Sequence, residues 1–357
     1  MTIKEAAAAW GITERRVNAL CKAGRISGAY KEGRQWFIPD SAQKPMDKRG
    51  HRSAVEPAVS SARKPLPIGV SDYRDACKSY YYVDKTLMIK EFLDERPKVS
   101  LFTRPRRFGK TLNLSMLRYF FEDTGNEARN AKNRALFDGL QIMKAGKMYT
   151  DRMGQYPVIS LTLKSAKQGS FEEAYFQICD AIRVEFGRHR EILDSVALDA
   201  VEKERYRQLL EGRAEREVVY TSLRFLTECL YKATGKRVII LMDEYDVPLE
   251  NAFFRGFYRE MVDCIRSLLE SALKTNECVE FSVITGCFRI SKETIFTGLN
   301  HLEINTILSN NYSEYFGFLP EEVQEMLDAY GCPEKMDSMQ EWYDGYSFGQ
   351  SEIYNPW

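Results

Sequence analysis

The sequence predicts an α/β fold with a mainly parallel, five-stranded sheet, and three observations support this prediction. Five short runs within residues 66–309 are apolar nearly throughout, which is typical of strands covered on both faces. Long amphipathic stretches separate these runs, as crossover helices do in parallel sheets. The 357 residues are 44% hydrophobic and 29% charged, so the chain has enough apolar material for sizeable cores.

The predicted elements alternate regularly along the chain. Strands are expected at residues 99–103, 157–163, 238–242, 279–285 and 304–308. Helices are expected at residues 111–122, 171–185, 220–234 and 257–274. The highly charged residues 187–216 are expected to form a helical insertion. Residues 316–331 contain a proline followed by two glutamates, which favours a helix start and predicts a C-terminal helical segment.

Charge is distributed unevenly along a chain whose formal net charge is zero. Residues 1–65 contain 13 lysines and arginines and 6 aspartates and glutamates, so they carry +7 and the remainder −7. Residues 41–64 have almost no large apolar groups, which predicts a linker. We therefore predict a head at residues 1–40, a linker at 41–64, a core at 65–309 and a helical lid segment at 310–357. Because the sequence stops on an aromatic residue without a polar tail, we expect the natural protein to continue further.

The cysteines and the apolar segments help to predict the cellular compartment of the protein. The eight cysteines are scattered without a CxxC pair, and three histidines are present, which disfavours a zinc site. No apolar run approaches the roughly 20 residues needed to span a bilayer, and the N-terminus lacks the apolar core of a signal peptide. We expect a cytoplasmic protein with reduced cysteines and no membrane partner.

The segment between the first predicted strand and the next helix carries a phosphate-binding signature. Gly109-Lys110-Thr111 match the end of the pattern GxxxxGK[ST], whereas Arg104 stands at the usual first glycine. In such a loop the lysine reaches the β and γ phosphates and the Thr hydroxyl binds Mg²⁺. Arg104, Arg106 and Arg107 are expected to add positive charge there. The residues expected to surround the phosphates are Arg106, Arg107, Phe108, Gly109, Lys110, Thr111 and Leu112. The alternative is a basic loop that merely caps a helix.

Two further strand ends carry polar groups suited to the same chemistry. Asp243 and Glu244 follow an apolar run; Asp243 is expected to bind Mg²⁺, and Glu244 to orient and deprotonate a water molecule. Thr285 is the predicted polar sensor, on the strand expected to lie between the two motif strands. Arg289 is expected to contact the γ-phosphate or a neighbouring loop, and the alternative is that it forms a structural salt bridge. For Asp243 and Glu244, the alternative is that they are simply acidic residues that face solvent at the end of a strand. Together these motifs predict a P-loop NTPase that binds and hydrolyses ATP with Mg²⁺.

Several segments resemble a known family. They are LPIGVSDYRD (66–75), YYYVDKT (80–86), FTRPRRFGKT (102–111), MDEYDVPL (242–249), TGCFRISKETIFTGLNHL (285–302), YFGFLPEEV (315–323) and WYDGYSFG…YNPW (342–357). These look like the bacterial AAA-ATPase-like family, which is related to STAND and archaeal-type P-loop ATPases. The resemblance covers nearly all of residues 64–357, and the RPRRFGK form of the loop is typical there. Members commonly continue past YNPW into a PD-(D/E)XK nuclease-like domain, which this sequence lacks, so no nuclease activity is assigned.

The same resemblance suggests a role for the segment upstream of the phosphate loop. Such ATPases often hold the adenine there, which implies that Tyr82 and Asp84 touch the base or the ribose. The alternative is that Asp84 caps a helix while the tyrosines pack on the core.

Residues 3–40 contain two helical patterns followed by a hairpin pattern. Residues 3–10 and 14–24 are the predicted helices, joined by a tight turn with Thr13 as N-cap, and residues 29–39 form a wing. This arrangement resembles the helix-turn-helix of excisionase and MerR-like proteins. The residues expected to contact DNA are Thr13, Arg15, Arg16, Asn18, Lys22, Lys31 and Arg34. The alternative is a docking module with a basic face.

One such head makes few phosphate contacts, so we expect a homo-oligomer or a second DNA contact to be needed for firm binding.

Three functional hypotheses follow from the predicted site and the predicted head. The first is an ATPase with a DNA-binding head, in DNA metabolism, mobile elements or defence. The second is a nucleotide-gated DNA-binding regulator with little turnover. The third is a transcription factor whose α/β body is an empty scaffold.

Overall fold

The structure is a computed structural model with two compact units, Met1–Ala62 and Arg63–Trp357. It describes residues 1–10, 14–22, 26–33, 35–42, 63–288, 294–296, 299, 302–343 and 345–356.

The smaller unit pairs two helices with a short hairpin. Its elements are α1 (Ile3–Trp10), α2 (Glu14–Lys22), β1 (Tyr30–Glu32) and β2 (Gln35–Phe37), and the two strands are antiparallel. Thr2 and Glu5 exchange side-chain-to-backbone hydrogen bonds that cap the start of α1. The buried core consists of Ala6, Ala7, Val17, Leu20, Cys21, Ile26 and Ile38.

The larger unit is built on one five-stranded sheet whose neighbouring strands are all parallel, as predicted. Its strands are β3 (Val99–Thr103), β4 (Val158–Thr162), β5 (Val238–Asp243), β6 (Val279–Gly286) and β7 (Leu302–Asn305). The spatial order is β4-β5-β6-β3-β7. Since β6 lies between β3 and β5, the carboxyl ends of these three strands meet at one edge of the sheet.

Helices cover both faces of this sheet. They are α3 (Tyr73–Ser79), α4 (Leu87–Glu95), α5 (Lys110–Phe121), α6 (Glu127–Arg134), α7 (Gln141–Lys144), α8 (Lys147–Thr150), α9 (Phe171–Arg188), α10 (Ala200–Leu210), α11 (Arg216–Tyr220), α12 (Ser222–Thr234), α13 (Val247–Arg255), α14 (Tyr258–Leu273), α15 (Pro320–Ala329) and α16 (Met336–Tyr343). Leu101 and Ile240 pack with side chains of α9, α12 and α14, whereas Phe102 and Ile239 pack with α4 and α5. No helix in the described ranges is long and apolar enough to cross a membrane.

The fifth strand begins two residues and ends three residues before the predicted positions. Residues 304–308 were expected, but β7 ends at Asn305. The Thr306 backbone N–H donates to Ser309 Oγ at 3.1 Å, and the Ser309 N–H donates to the Thr306 carbonyl at 3.0 Å. The turn between Thr306 and Ser309 ends the strand. Its hydrogen bonds use backbone groups that would otherwise pair with the neighbouring strand.

The C-terminal segment contains a hairpin that the sequence analysis did not predict. Strands β8 (Tyr346–Phe348) and β9 (Ser351–Ile353) pair antiparallel. Of their side chains, Phe348 and Ile353 are buried. Three residues per strand are too few for an alternating pattern to be recognised. The hairpin brings the C-terminal segment against the core beside the phosphate loop.

Candidate functional site

The turn between β3 and α5 is held in a conformation that few residues adopt. Arg107 and Gly109 have φ values of 75° and 81°, both in the left-handed region. A Cβ at Gly109 would meet nothing within 4 Å, so it is the backbone conformation that favours glycine there. Gly109 is the N-cap of α5 and leaves the first N–H groups of the helix free to bind an anion.

The Lys110 ammonium group lies within this turn. Its Nζ donates to the carbonyl oxygens of Arg104 at 2.9 Å and Pro105 at 2.8 Å, and lies 3.6 Å from Cys287 Sγ. The side chain is buried. Neutral carbonyl acceptors bind an ammonium group less strongly than anionic oxygens do, so a phosphate can compete for these N–H groups.

Two threonine hydroxyls hold the Asp243 carboxylate. Thr111 Oγ1 donates to Asp243 Oδ2 at 2.6 Å, and Thr285 Oγ1 donates to Asp243 Oδ1. The three residues come from α5, β5 and β6, whose ends converge at the same edge of the sheet. Carboxylate and hydroxyl oxygens are the ligands that Mg²⁺ prefers. Thr111 and Asp243 therefore fit a magnesium ion bound at the phosphate loop.

Glu244 follows Asp243 in a strained conformation. Its φ is 54°, which a non-glycine residue adopts at a cost of about 1–3 kcal/mol and which is often retained at functional sites. The side chain is half-buried. Burial, and secondly the Asp243 carboxylate, raise the pKa of Glu244, while Lys167 and Lys110 oppose this shift.

Asp246 is a site residue that the sequence analysis did not single out. Its Oδ2 accepts hydrogen bonds from the backbone N–H groups of Cys287 at 2.7 Å and Phe288 at 2.9 Å. A Cβ at Gly286 would lie 2.7 Å from the Tyr245 ring and 2.8 Å from Asp246 Oδ1, so glycine is needed there. Asp246 thus fixes the backbone after β6. The only signal in the sequence was its place two residues after the acidic pair.

A cavity of about 500 Å³ extends from the phosphate loop toward the segments that precede β3. Its apolar lining includes Ile68, Val70, Tyr81, Tyr82, Val83, Tyr315, Phe318 and Pro356. Its polar lining includes Lys110, Thr111, Lys167 and Glu244. A cavity lined by both apolar and cationic side chains suits a ligand that combines a flat ring with a polyphosphate.

Most residues predicted for the phosphate site line this cavity. They are Tyr82, Arg106, Arg107, Phe108, Gly109, Lys110, Thr111, Leu112 and Glu244. Asp243 and Thr285 are not among the lining residues. Asp243 accepts a hydrogen bond from Thr111, which does line the cavity, and another from Thr285. Arg106 is largely exposed and pairs with Glu250 at 2.8 Å.

One predicted residue, Asp84, is not among the residues that line the cavity. The Asp84 carboxylate accepts hydrogen bonds from the N–H and hydroxyl of Thr86 at 2.9 and 2.6 Å, and from the Gln141 N–H at 2.8 Å. Asp84 thus joins Thr86, the residue that precedes α4, to the first residue of α7. Arg289 lies outside the described residues.

Arg104 was expected to add positive charge beside the phosphates, and the structure contradicts this. Its side chain is fully buried, and Nη1 donates to the carbonyls of Thr103 at 3.2 Å and Asn305 at 2.8 Å. The guanidinium carbon lies 4.9 and 5.2 Å from the ring centroids of Phe316 and Phe348. Burial lowers the pKa of Arg104 to about 10, so it remains charged at neutral pH. Its side chain packs against the C-terminal segment and away from the cavity.

The predicted DNA-contacting residues of the head are distributed over α2 and β1. Arg15, Arg16, Asn18 and Lys22 belong to α2, and Lys31 belongs to β1. Lys22 and Lys31 are exposed, and Asn18 is half-buried. Thr13 and Arg34 lie outside the described residues.

The fold and the site together define a P-loop-like α/β protein, with a phosphate-loop sequence after β3 and an acidic end on β5. Residues 67–296 match the family described as "Predicted AAA-ATPase". This match covers more than half of the chain, and the chain belongs to this family.

A curated relative is the "Uncharacterized protein in vnfD 5'region" of Azotobacter chroococcum mcd 1. The two sequences are 27% identical over 302 residues, which is 83% of this chain and 51% of that protein. The chain therefore spans about half the length of this relative.

Proposed function

We propose that this protein binds ATP with Mg²⁺ and hydrolyses it in the cavity between the phosphate loop and β5. The observation that carries the proposal is the pair of hydrogen bonds from Thr111 and Thr285 to Asp243. Lys110 and Glu244, the chain neighbours of Thr111 and Asp243, line the cavity. Membership in the Predicted AAA-ATPase family supports the same conclusion.

The proposed binding mode assigns the polar and the apolar lining residues of the cavity to different parts of the nucleotide. The free N–H groups at the start of α5 and the Lys110 ammonium hold the β and γ phosphates. Thr111 and Asp243 hold Mg²⁺, which neutralises negative charge on the phosphate oxygens. Tyr82 contributes to an apolar wall for the base. Asp84 is left out of the proposed site, because its oxygens bind Thr86 and Gln141.

In the proposed hydrolysis, Glu244 accepts the proton of a water molecule. The water oxygen forms a bond to the γ-phosphorus, and the bond between that phosphorus and the β,γ-bridging oxygen breaks. ADP leaves with the electron pair of the broken bond. Half-burial beside Asp243 raises the pKa of Glu244, which makes its carboxylate a stronger base.

Calorimetric titration with ATP, combined with measurement of phosphate release, tests the proposed function. In the presence of Mg²⁺ we expect one ATP site per chain and steady phosphate release. Chelating the metal with EDTA is expected to stop release and to weaken ATP binding about tenfold, or about 1.4 kcal/mol. Failure to bind ATP in Mg²⁺ would refute the proposal and favour an empty scaffold. Binding without turnover would favour the nucleotide-gated regulator.

We also propose that the smaller unit binds DNA, as a winged helix-turn-helix does. The supporting observation is its pair of packed helices followed by an antiparallel hairpin, with Lys22 and Lys31 exposed. In this proposal, α2 enters the major groove and the hairpin contacts the backbone. A homo-oligomer would supply the second contact. A nuclease-like domain in a longer form, and a role in DNA metabolism, mobile elements or defence, belong to the same proposal.

The double substitution Lys22→Glu with Lys31→Glu is expected to weaken DNA binding at least tenfold. It is also expected to reduce the slope of log affinity against log salt by about 2, because each phosphate contact contributes about 0.9. Fluorescence anisotropy with duplex DNA measures both quantities. Lys4→Glu, an exposed change on α1, controls for overall charge. Wild-type affinity and slope in the double variant would rule out this head as the DNA contact.

A further inference from the structure

The loop that follows β4 is anchored at the edge of the sheet where the proposed nucleotide site lies. The Leu163 N–H donates to the Asp243 carbonyl at 3.1 Å, and the Ala166 N–H donates to the Leu163 carbonyl at 3.1 Å. Leu163 and Ala166 are both buried. Beyond them, Asn251 Nδ2 of α13 donates to the Gln168 carbonyl at 2.7 Å. The backbone of residue 167 is therefore held on both sides.

Lys167 is exposed and extends from this loop into the lining of the cavity, as Lys110 and Glu244 do from their own elements. Arg106, another cation of the lining, pairs with Glu250. Lys167 has no salt-bridge partner in the described part of the chain, and its charge acts on Glu244. The loop thus presents, near the proposed base, a positive charge that forms no salt bridge within the described residues.

Strand order places the loops that carry Lys167 and Lys110 on different sides of β5. Strand β4 is the neighbour of β5, and Thr162 is paired with Asp243 in the register. The phosphate loop follows β3, which lies on the other side of β5 beyond β6. A γ-phosphoryl group attacked by the water that Glu244 orients would therefore lie between two lysines.

We propose that Lys167 is a further catalytic residue, a cation supplied in cis that binds the γ-phosphate of ATP. This inference rests on the proposed function. The Lys167 ammonium donates hydrogen bonds to γ-phosphoryl oxygens and stabilises the negative charge on them during transfer. No covalent bond to Lys167 forms or breaks. Its position would remove the need for a cation from a second copy of the chain.

The test compares Lys167→Ala, Lys167→Arg and the control Lys164→Ala, which alters an exposed lysine of the same loop outside the cavity lining. Lys167→Ala is expected to lower kcat about 100-fold, the scale seen when one charge-stabilising donor is removed, and to raise KM in line with its weaker ATP binding. Lys167→Arg is expected to retain most of the activity. The affinity for AMP-PNP is expected to fall at least fivefold in Lys167→Ala, and the affinity for ADP to stay unchanged. Lys164→Ala is expected to match the wild type in every assay.

The outcomes separate this inference from the proposed function. A wild-type protein that hydrolyses ATP while Lys167→Ala keeps its kcat would overturn the inference alone. If the wild type binds ATP without turnover, the ratio of the affinity for AMP-PNP to the affinity for ADP decides. An unchanged ratio in Lys167→Ala overturns the γ-phosphate contact, and a reduced ratio supports it. A wild type that binds no ATP overturns both. An equal loss of kcat or of AMP-PNP affinity in Lys164→Ala and Lys167→Ala would show a general effect of loop charge. It would also overturn the assignment of Lys167.

Discussion

Replacing Glu244 with glutamine is expected to leave ATP binding intact and to slow hydrolysis by about 100- to 10,000-fold, the range that general-base catalysis contributes. The amide has the shape of the carboxylate but cannot accept a proton from water. Glu244 is not among the residues assigned to the metal, which are Thr111 and Asp243, so nucleotide affinity should stay close to the wild-type value. The change also removes one of two adjacent negative charges, and we expect no loss of folding stability.

Phosphate release under single-turnover conditions measures the chemical step of the Glu244→Gln variant, and calorimetry measures its ATP affinity. Glu260→Gln is the matched control, since Glu260 is an exposed residue in the first turn of α14 and does not line the cavity. Wild-type turnover in Glu244→Gln would show that another group, or the substrate itself, accepts the proton. Loss of ATP binding would instead place Glu244 in the nucleotide contact.

Replacing Lys110 with alanine is expected to weaken ATP binding by at least 100-fold and to abolish measurable hydrolysis. Each hydrogen bond to a charged group contributes about 1.5–3 kcal/mol, and the lysine is expected to reach two phosphates. Two lost contacts therefore correspond to roughly a hundredfold or more in affinity. Calorimetry with ATP and Mg²⁺ measures this change.

The same substitution also removes the donor to the Arg104 and Pro105 carbonyls. Leaving buried acceptors unpaired costs about 1–3 kcal/mol, so the melting temperature has to be measured in parallel. A folded Lys110→Ala protein that has lost ATP binding supports the assignment, and one that binds ATP like the wild type contradicts it. Lys164→Ala again serves as the control for loss of one positive charge.

The polar and apolar residues of the proposed site differ in how far they could be predicted. The Gly109-Lys110-Thr111 sequence and the Asp243-Glu244 pair are local patterns, and they predict polar residues of the proposed site by number. The apolar lining includes Ile68, Phe318 and Pro356, which are far apart in the chain. Local patterns do not encode such distant contacts, so these residues could not be assigned from the sequence.

Arg104 shows why the sequence position of a charged residue is a poor guide to its role. It stands in the phosphate-binding motif, yet its guanidinium group lies between the rings of Phe316 and Phe348 and bonds the Asn305 carbonyl. The Phe108 ring of the same loop packs against Tyr346 and Phe348, with centroid distances of 4.8 and 5.1 Å. The C-terminal hairpin thus supports the phosphate loop from behind, through contacts between residues more than 200 positions apart.

The sequence by itself determined the parallel α/β architecture, because buried strands must be apolar on both faces and crossover helices on one, and these periodicities are local. It also determined the motif residues of the phosphate loop and of the β5 end. Only the tertiary structure decided that Thr111 and Thr285 share the Asp243 carboxylate, and that Asp84 binds Thr86 and Gln141 instead of lining the cavity. It alone brought Lys167 to the cavity. The physical reason is that side-chain partners depend on how distant segments pack, whereas sequence patterns record only local burial and backbone preference.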